Sequence, residues 1–275
     1  MRRNILITGC SSGIGRHCAL TLAKRQDWRV FASARKTEDV EKLQKDGLSD
    51  ALQLDLDSPT SIHSAMETVL AQTGGCLDAL FNNGAYGQPG AVEDLSRDAL
   101  RAQFESNVFG TQELTNTAIA IMRKDGGGRI IQNSSVLGFV CLKYRGAYNA
   151  SKYALEALSD TMRLELAGTN IHIALIEPGP IVSAFRQNAA THFHRQIDTD
   201  TSAHHDAYVR MQEAWSKGAS MPFALEPKAV YKNLLHALNA RRPKLRYRVT
   251  IPTIAFWYLK RLLPCAWLDN ILTRV

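Results

Sequence analysis

Asn4-Ile5-Leu6-Ile7-Thr8-Gly9-Cys10-Ser11-Ser12-Gly13-Ile14-Gly15 is the stretch on which the fold turns. Asn4 to Thr8 is an apolar run of the length of a buried strand. Three glycines then punctuate a turn, and Ile14, Cys18 and Leu22 follow at the spacing of a buried helix face. Strand, glycine turn and helix in that order are the context a nucleotide site needs; without the flanking elements the same letters would be a plain glycine-rich loop. Gly9 permits a tight turn, Gly13 lets the backbone approach a pyrophosphate, and Gly15 lets helix and strand pack closely. The free N–H groups at the start of the helix face the anion.

Outward from this turn, strand-like and helix-like runs alternate. Arg29–Ala34, Ala51–Leu54, Leu77–Phe81, Arg129–Asn133 and Ile171–Ile176 read as further strands. Ser58 and Pro59 open a helix, as N-cap and first-turn residues. A long helical pattern runs from about Ser96 to Arg123 and stops at Gly126-Gly127-Gly128; another spans Gly146 to Leu166. A helix from Glu226-Pro227 to about Ala240 precedes a seventh, edge strand at Leu245–Val249. This order predicts an α/β fold: a Rossmann-type, doubly wound sheet of seven strands, mostly parallel, with helices on both faces. The 275 residues are near the upper limit for one core, and a single domain over 1–275 is the expectation.

Ligands on such sheets bind beyond the carboxyl ends of the strands. The glycine turn, Asn82-Asn83-Gly84, Ser135 and Pro178-Gly179 all follow strand ends, so they converge on one edge although far apart in sequence. An acidic residue near the end of the second strand would bind a ribose 2′-hydroxyl. That region reads Ser33-Ala34-Arg35-Lys36, with Arg35 20 residues after Gly15 and no carboxylate. Two cations suit a 2′-phosphate, so NADP(H) is preferred, with NAD(H) the alternative; otherwise they are solvated charges at a strand end. Asp55 could bond an adenine amino group or act as a turn carboxylate. Asn107 is a poor mid-helix residue, which points either to a local break or to a tolerated surface position.

Tyr148 and Lys152 are four residues apart on a helix, one turn apart on one face. Such a spacing also arises by chance. A cation beside a phenol favours the phenolate, so the Tyr148 pKa is expected to fall toward working pH.

These motifs resemble the short-chain dehydrogenase/reductase superfamily in its compact single-domain form. Thr8 to Gly15 is similar to the family's TGxxxGxG, and Asn82-Asn83-Gly84-Ala85 to its NNAG with the last two residues exchanged. Asp55 resembles its adenine-binding aspartate and Pro178-Gly179 its PG motif. Asn107, Ser135, Tyr148 and Lys152 resemble its catalytic tetrad, with Ser135 13 residues before Tyr148. Ser183 stands where a threonine often contacts the carboxamide. The resemblance implies hydride transfer between a nicotinamide and a carbonyl or alcohol carbon. It implies cofactor contacts from Gly9, Ser11, Ser12, Gly13, Ile14, Gly15, Arg35, Lys36, Asp55, Leu56, Asn82, Gly84, Tyr148, Lys152, Pro178, Gly179, Ile181 and Ser183. In its terms Tyr148 gives or takes the proton, Lys152 lowers its pKa and binds the ribose, Ser135 donates to the substrate oxygen, and Asn107 holds a water beside Lys152.

The expected substrate is a small apolar carbonyl or alcohol. Residues 180–226 depart from the alternating pattern and carry Phe185, Phe193, Tyr208, Met211, Trp215, Met221 and Phe223. They read as a substrate-binding lid, long, irregular and mobile, or as ordinary packing. His172, His192, His194, His204 and His205 lie in or near it without partner cysteines and read as polar surface, so no metal is expected.

Residues 251–275 form an apolar and basic tail, expected as an amphipathic helix. Lys260-Arg261 and Pro264 interrupt it, which argues against a membrane span. It packs on the pocket or a second subunit, lies on a membrane surface, or is plain core. The net charge of +7 favours anionic partners, but no basic run or zinc-ligand spacing supports nucleic acid. Five scattered cysteines without a CxxC pair and a start lacking a long apolar region suggest a cytoplasmic protein, with peripheral membrane association through the tail as a variant. A homo-oligomer is expected from the resemblance. The leading reading is an NADP-dependent carbonyl reductase. The alternatives are a retinol- or steroid-type alcohol dehydrogenase working in oxidation, and a non-catalytic dinucleotide-binding sensor.

Overall fold

A computed structural model of the chain describes residues 2–217 and 222–274. Met221, named above in the lid, and residue 275, the end of the tail, lie outside the described residues.

The strands are β1 (Arg3–Ile7), β2 (Trp28–Ala34), β3 (Leu52–Gln53), β4 (Ala79–Asn82), β5 (Gly128–Asn133), β6 (Ile171–Glu177) and β7 (Arg246–Arg248). They form one seven-stranded sheet in the order β3-β2-β1-β4-β5-β6-β7. Every pairing among the described residues is parallel, with register partners such as Ile5 with Val30 and Ile5 with Ala79. The order reverses between β1 and β4, which opens a crevice at their carboxyl ends.

Helices cover both faces. Ile5 and Ile7 point to one face, where α1 (Gly13–Ala23), α2 (Thr37–Lys45) and α9 (Lys228–Asn239) supply Cys18, Leu22, Leu43, Val230 and Leu234. Leu6 points to the other, where α3 (Pro59–Thr73), α5 (Thr111–Lys124) and α6 (Gly146–Glu165) supply Ile62, Met66, Leu114, Ala118 and Met162. Ser58 caps α3 as expected, its hydroxyl accepting from the Ser61 N–H at 3.3 Å.

Three expectations need correction. The helix read over Ser96 to Arg123 is α4 (Arg97–Phe104), a π-helical segment (Glu105–Gly110) containing Asn107, and α5. A bond from every fifth residue accommodates the asparagine, so the local-break reading holds. The segment 180–226 is less irregular than expected, because α7 (Phe185–Gln196) and α8 (His205–Ser216) stand in it. An aromatic cluster of Phe193, Tyr208 and Trp215 joins them, with edge-to-face contacts at 5.0 and 5.4 Å. The tail is two helices, α10 (Ile251–Leu262) and α11 (Cys265–Leu272), parted at Leu263-Pro264. Proline at 264 disfavours helical backbone at Leu263, which is extended at φ −97, ψ 142. Among the described residues no helix is long and apolar enough to cross a membrane. The five cysteines are free.

Candidate active site

The glycine turn between β1 and α1 is held by contacts that exclude side chains. Gly9 and Gly13 have φ of +70° and +56°, the left-handed region. A Cβ on Gly9 would stand 2.6 Å from Gly84 Cα, and one on Gly15 2.3 Å from the Gly9 carbonyl oxygen. Glycine at 9 is therefore what lets the β4 loop close on the turn. Thr8 Oγ1 accepts from the N–H groups of Asn83 and Gly84 at 3.0 and 2.8 Å. The Asn83 amide donates to the carbonyls of Thr8 and Gly9 at 3.0 and 3.1 Å.

The turn fits a dinucleotide pyrophosphate. Ser12 is the extended N-cap of α1, yet its hydroxyl makes no capping bond. No acidic residue occupies the first turn of α1, so its positive end is unopposed. A cleft of about 530 Å³ is lined by Ser11, Ser12, Gly13, Arg16, Lys42 and Lys45 among others. Arg35 and Lys36 follow the end of β2, Lys36 as the N-cap of α2, and are exposed, with no ion pair among the described residues. Arg16, which the sequence reading passed over, is taken by Asp46.

The remaining candidates reach the same edge with different freedom. One Asp55 carboxylate oxygen accepts from Asp57 N–H at 3.1 Å, the turn role weighed above; the other oxygen is not so used. Leu56 packs its side chain near Gly84. Asn82 is buried and donates to Thr115 Oγ1 at 2.8 Å, so its side chain belongs to α5 and only its backbone lies at the strand end. Pro178 accepts from Val136 N–H at 2.8 Å, Gly179 abuts Thr250, and Ile181 is buried beside Leu225. Ser183 comes over the glycine turn, its Cβ 2.9 Å from where a Cβ on Gly13 would be.

The tetrad residues converge at the carboxyl ends of β4 and β5. Asn107 donates to the Tyr86 carbonyl at 2.9 Å and to Ser151 Oγ at 3.0 Å, and accepts from Tyr86 N–H at 3.1 Å. Its amide N–H groups are thus committed to protein acceptors, while Oδ1 accepts a single bond. Ser135 caps a 3-10 turn (Val136–Gly138), its Oγ accepting from Leu137 N–H at 3.1 Å. Lys152 is buried and donates to the Asn133 carbonyl at 2.7 Å. Asn133 in turn donates to Asn83 Oδ1 at 2.9 Å, so the lysine, β5 and the glycine turn form one chain of bonds.

The electrostatics differ from the expectation at Tyr148. Burial pushes its phenol up to about 12, and the hydrogen bond to Ser135 only partly opposes this. Lys152 does not dominate because its ammonium lies 5.8 Å from the ring centre and bonds elsewhere. Its own pKa is pushed down to about 8 by burial, against a smaller upward pull from Glu156. Phe185, at the start of α7, stands edge-on to the Tyr148 ring at 5.3 Å. Tyr86 stacks on His192 of α7 at 4.0 Å. These lid contacts, like Asn83 and Asn133, were not foreseen, since nothing in sequence spacing links residues so far apart.

Of the histidines read as surface, His192 therefore packs on Tyr86, and His204 bonds Glu93 at 2.6 Å. Among the described residues no group of three histidine, cysteine or acidic side chains could hold a metal ion.

The sequence pattern of the family described as short chain dehydrogenase matches residues 3–193. The Escherichia coli (strain K12) uncharacterized oxidoreductase YbbO is 42% identical over 272 residues, covering 99% of this chain and 94% of that protein. Human 17-beta-hydroxysteroid dehydrogenase type 1 is 34% identical over 260 residues, covering 90% and 78%. A crystal structure of a short-chain dehydrogenase from Streptomyces avermitilis superposes with a TM-score of 0.78 at 27% identity, covering 95% of this chain and 93% of that one. The chain belongs to the short-chain dehydrogenase family of NAD(P)-dependent oxidoreductases.

Proposed function

We propose that this family member is a single-domain, NADP-dependent reductase of aldehydes or ketones with an apolar body, in which Tyr148 gives the proton. One observation carries the reading. The buried Tyr148 phenol is bonded by Ser135 and stands one helical turn from the buried Lys152, beside the strand ends that face the glycine turn. A protonated phenol is the state that can donate to a carbonyl oxygen.

In this reading Gly9, Ser11, Ser12, Gly13, Ile14 and Gly15 hold the pyrophosphate, and Arg35 and Lys36 the 2′-phosphate. Asp55 and Leu56 border the adenine; Asn82, Gly84, Pro178, Gly179, Ile181 and Ser183 border the nicotinamide half. When bound, the cofactor supplies the hydride that the carbonyl carbon receives. Ser135 donates to the substrate oxygen and stabilises the charge developing there. Lys152 contributes a positive charge one turn from the phenol and a donor for the ribose. Asn107 pins the π-helical segment to Tyr86 and Ser151 and so fixes the helix bearing Tyr148.

Residues 180–226 act as the substrate lid, with Phe185 excluding water from the phenol. Similarity to human 17-beta-hydroxysteroid dehydrogenase type 1 supports a second reading, oxidation of a steroid- or retinol-like alcohol. There the Tyr148 phenolate takes the proton, which burial opposes in the free protein.

We also infer a cytoplasmic protein, with peripheral membrane contact through α10 and α11. Phe256 and Leu272 pack toward Leu137, Val140 and Tyr148, while Ile251, Leu262 and Trp267 are 69, 76 and 65% exposed. A groove of about 310 Å³ beside them carries Lys244, Arg246 and Arg248. Exposed Phe109 and Leu164 are apolar surface for a homo-oligomer.

An NADPH-oxidation screen over medium-chain aldehydes, aromatic ketones, steroids and retinal tests the function. Turnover of apolar carbonyls is expected. Flat rates with tight NADPH binding would favour a dinucleotide sensor instead.

A further inference from the structure

Arg145 is a cation in a place that ordinarily rejects one. It is the N-cap of α6, three residues before Tyr148, and its side chain makes no capping bond. A helix amino end carries partial positive charge, so a guanidinium there is repelled. α6 has no acidic residue in its first turn to offset this. A second guanidinium, Arg186 on α7, adds like charge, and burial together with that charge lowers the Arg145 pKa.

The partners that Arg145 does have are weak. Nη1 reaches the Tyr144 carbonyl at 3.4 Å and the Met211 thioether, a poor acceptor, at 4.0 Å. No carboxylate among the described residues lies within salt-bridge distance. Two carboxylates close after Gly90, which bridges to Arg145, are committed elsewhere: Glu93 to His204 at 2.6 Å, and Asp94 to Ser202 and Tyr208. A half-buried guanidinium whose only acceptors are this weak has bonding capacity left for an anion.

The location says which partner. Arg145 lies between the start of the catalytic helix and α8, where Met211 is partly buried against the aromatic lid cluster. Phe185, next to Arg186, covers Tyr148. The lid thus touches the guanidinium through Met211 of α8 and the phenol through Phe185 of α7. We propose that Arg145 anchors a carboxylate carried by the substrate, so that the preferred substrate is an aldehyde or ketone with an apolar body and an acid group remote from the carbonyl. The guanidinium fork matches a carboxylate in two parallel bonds, and the amino end of α6 adds to the attraction. The inference rests on the reductase reading for its carbonyl, but its anion site stands apart from turnover.

The test compares octanal with 8-oxooctanoic acid, using NADPH oxidation by the full chain and by Arg145→Gln and Arg145→Lys. The acid should be preferred by about tenfold or more in kcat/KM, as charge-assisted bonds of this kind supply. Arg145→Gln should collapse that ratio to near one, and Arg145→Lys should restore part of it. Equal use of both substrates by the parent, or an unchanged ratio in Arg145→Gln, would overturn the proposal. A binding arm needs no turnover: calorimetry of octanoate against octanol, with thermal midpoints to show that the variants fold. Octanoate binding that is tighter than octanol and lost in Arg145→Gln supports the site even if no aldehyde is reduced. Octanoate no tighter than octanol in the parent overturns it, whatever the screen for reductase activity shows.

Discussion

Lys152 donates its Nζ proton to the backbone carbonyl of Asn133 at 2.7 Å, while that nitrogen stands 5.8 Å from the centre of the Tyr148 ring. The helical spacing that puts the two side chains on one face does not by itself make the ammonium the main influence on the phenol. Burial is the larger effect on both groups, raising the tyrosine and lowering the lysine.

A pH profile follows from this. Lys152 falls from 10.5 to about 8, so its cation is lost as pH rises through that value. The pH dependence of kcat/KM reports groups of the free enzyme. For NADPH it should drop above pH ~8 at roughly tenfold per unit, and Lys152→Arg should move that limb upward. Stability has the opposite sign. Between about 8 and 10 the unfolded lysine binds more protons than the folded one, so unfolding free energy should rise with pH there. Urea titrations of the parent against Lys152→Met check this, since the rise should vanish in the variant.

The glycine turn makes a steric prediction. A Cβ at position 15 would lie 2.3 Å from the Gly9 carbonyl oxygen, which is backbone and cannot swing away. Gly15→Ala should cost about 1–3 kcal/mol or more, read from the urea midpoint at constant m-value.

Cofactor choice should sit with Arg35. It is exposed and has no ion pair among the described residues, so its charge is available to a ligand. Arg35→Asp should lower the ratio of kcat/KM for NADPH to that for NADH by about 30- to 100-fold, the loss of a charge-assisted bond plus repulsion. An unchanged ratio would return Arg35 and Lys36 to solvated charges at a strand end.

Much of this is legible in the sequence alone. The apolar runs gave the strands because a sheet covered on both faces buries whole strands. The glycine spacing marked the turn because side chains physically do not fit there. Asn107 signalled its break because its amide competes with the helix, and the π-helical segment is that break. What stayed hidden depends on contacts between distant residues. Asn83 to Asn133, Tyr86 on His192 and Phe185 on Tyr148 link positions with no common period. The same holds for Arg246, which bonds Glu156 at 2.9 Å, Asp160 at 2.7 Å and Glu177 at 3.0 Å behind the lysine. The Tyr148 pKa was misjudged because sequence shows the neighbouring charge and not the burial. Pro264 is the sequence signal that divides the tail into two helices.

The tail carries its own prediction. The parent should float with vesicles of anionic phosphatidylserine-containing lipid and less with neutral ones, because the exposed apolar face carries the exposed Lys260 and Arg261 and adjoins the exposed Lys244. Leu262→Glu together with Trp267→Glu should abolish flotation. Binding that ignores lipid charge and both substitutions would reassign the face to a subunit contact or plain packing.

The most direct test of the account is single-turnover NADPH oxidation by Tyr148→Phe, with NADPH affinity measured by fluorescence on the same sample. The ring still fills its place against Phe185 and only the hydroxyl is missing. Turnover should fall by about a thousandfold or more while the Kd for NADPH stays within about threefold. Turnover within about tenfold of the parent, with cofactor binding intact, would contradict a proton-transfer role for Tyr148.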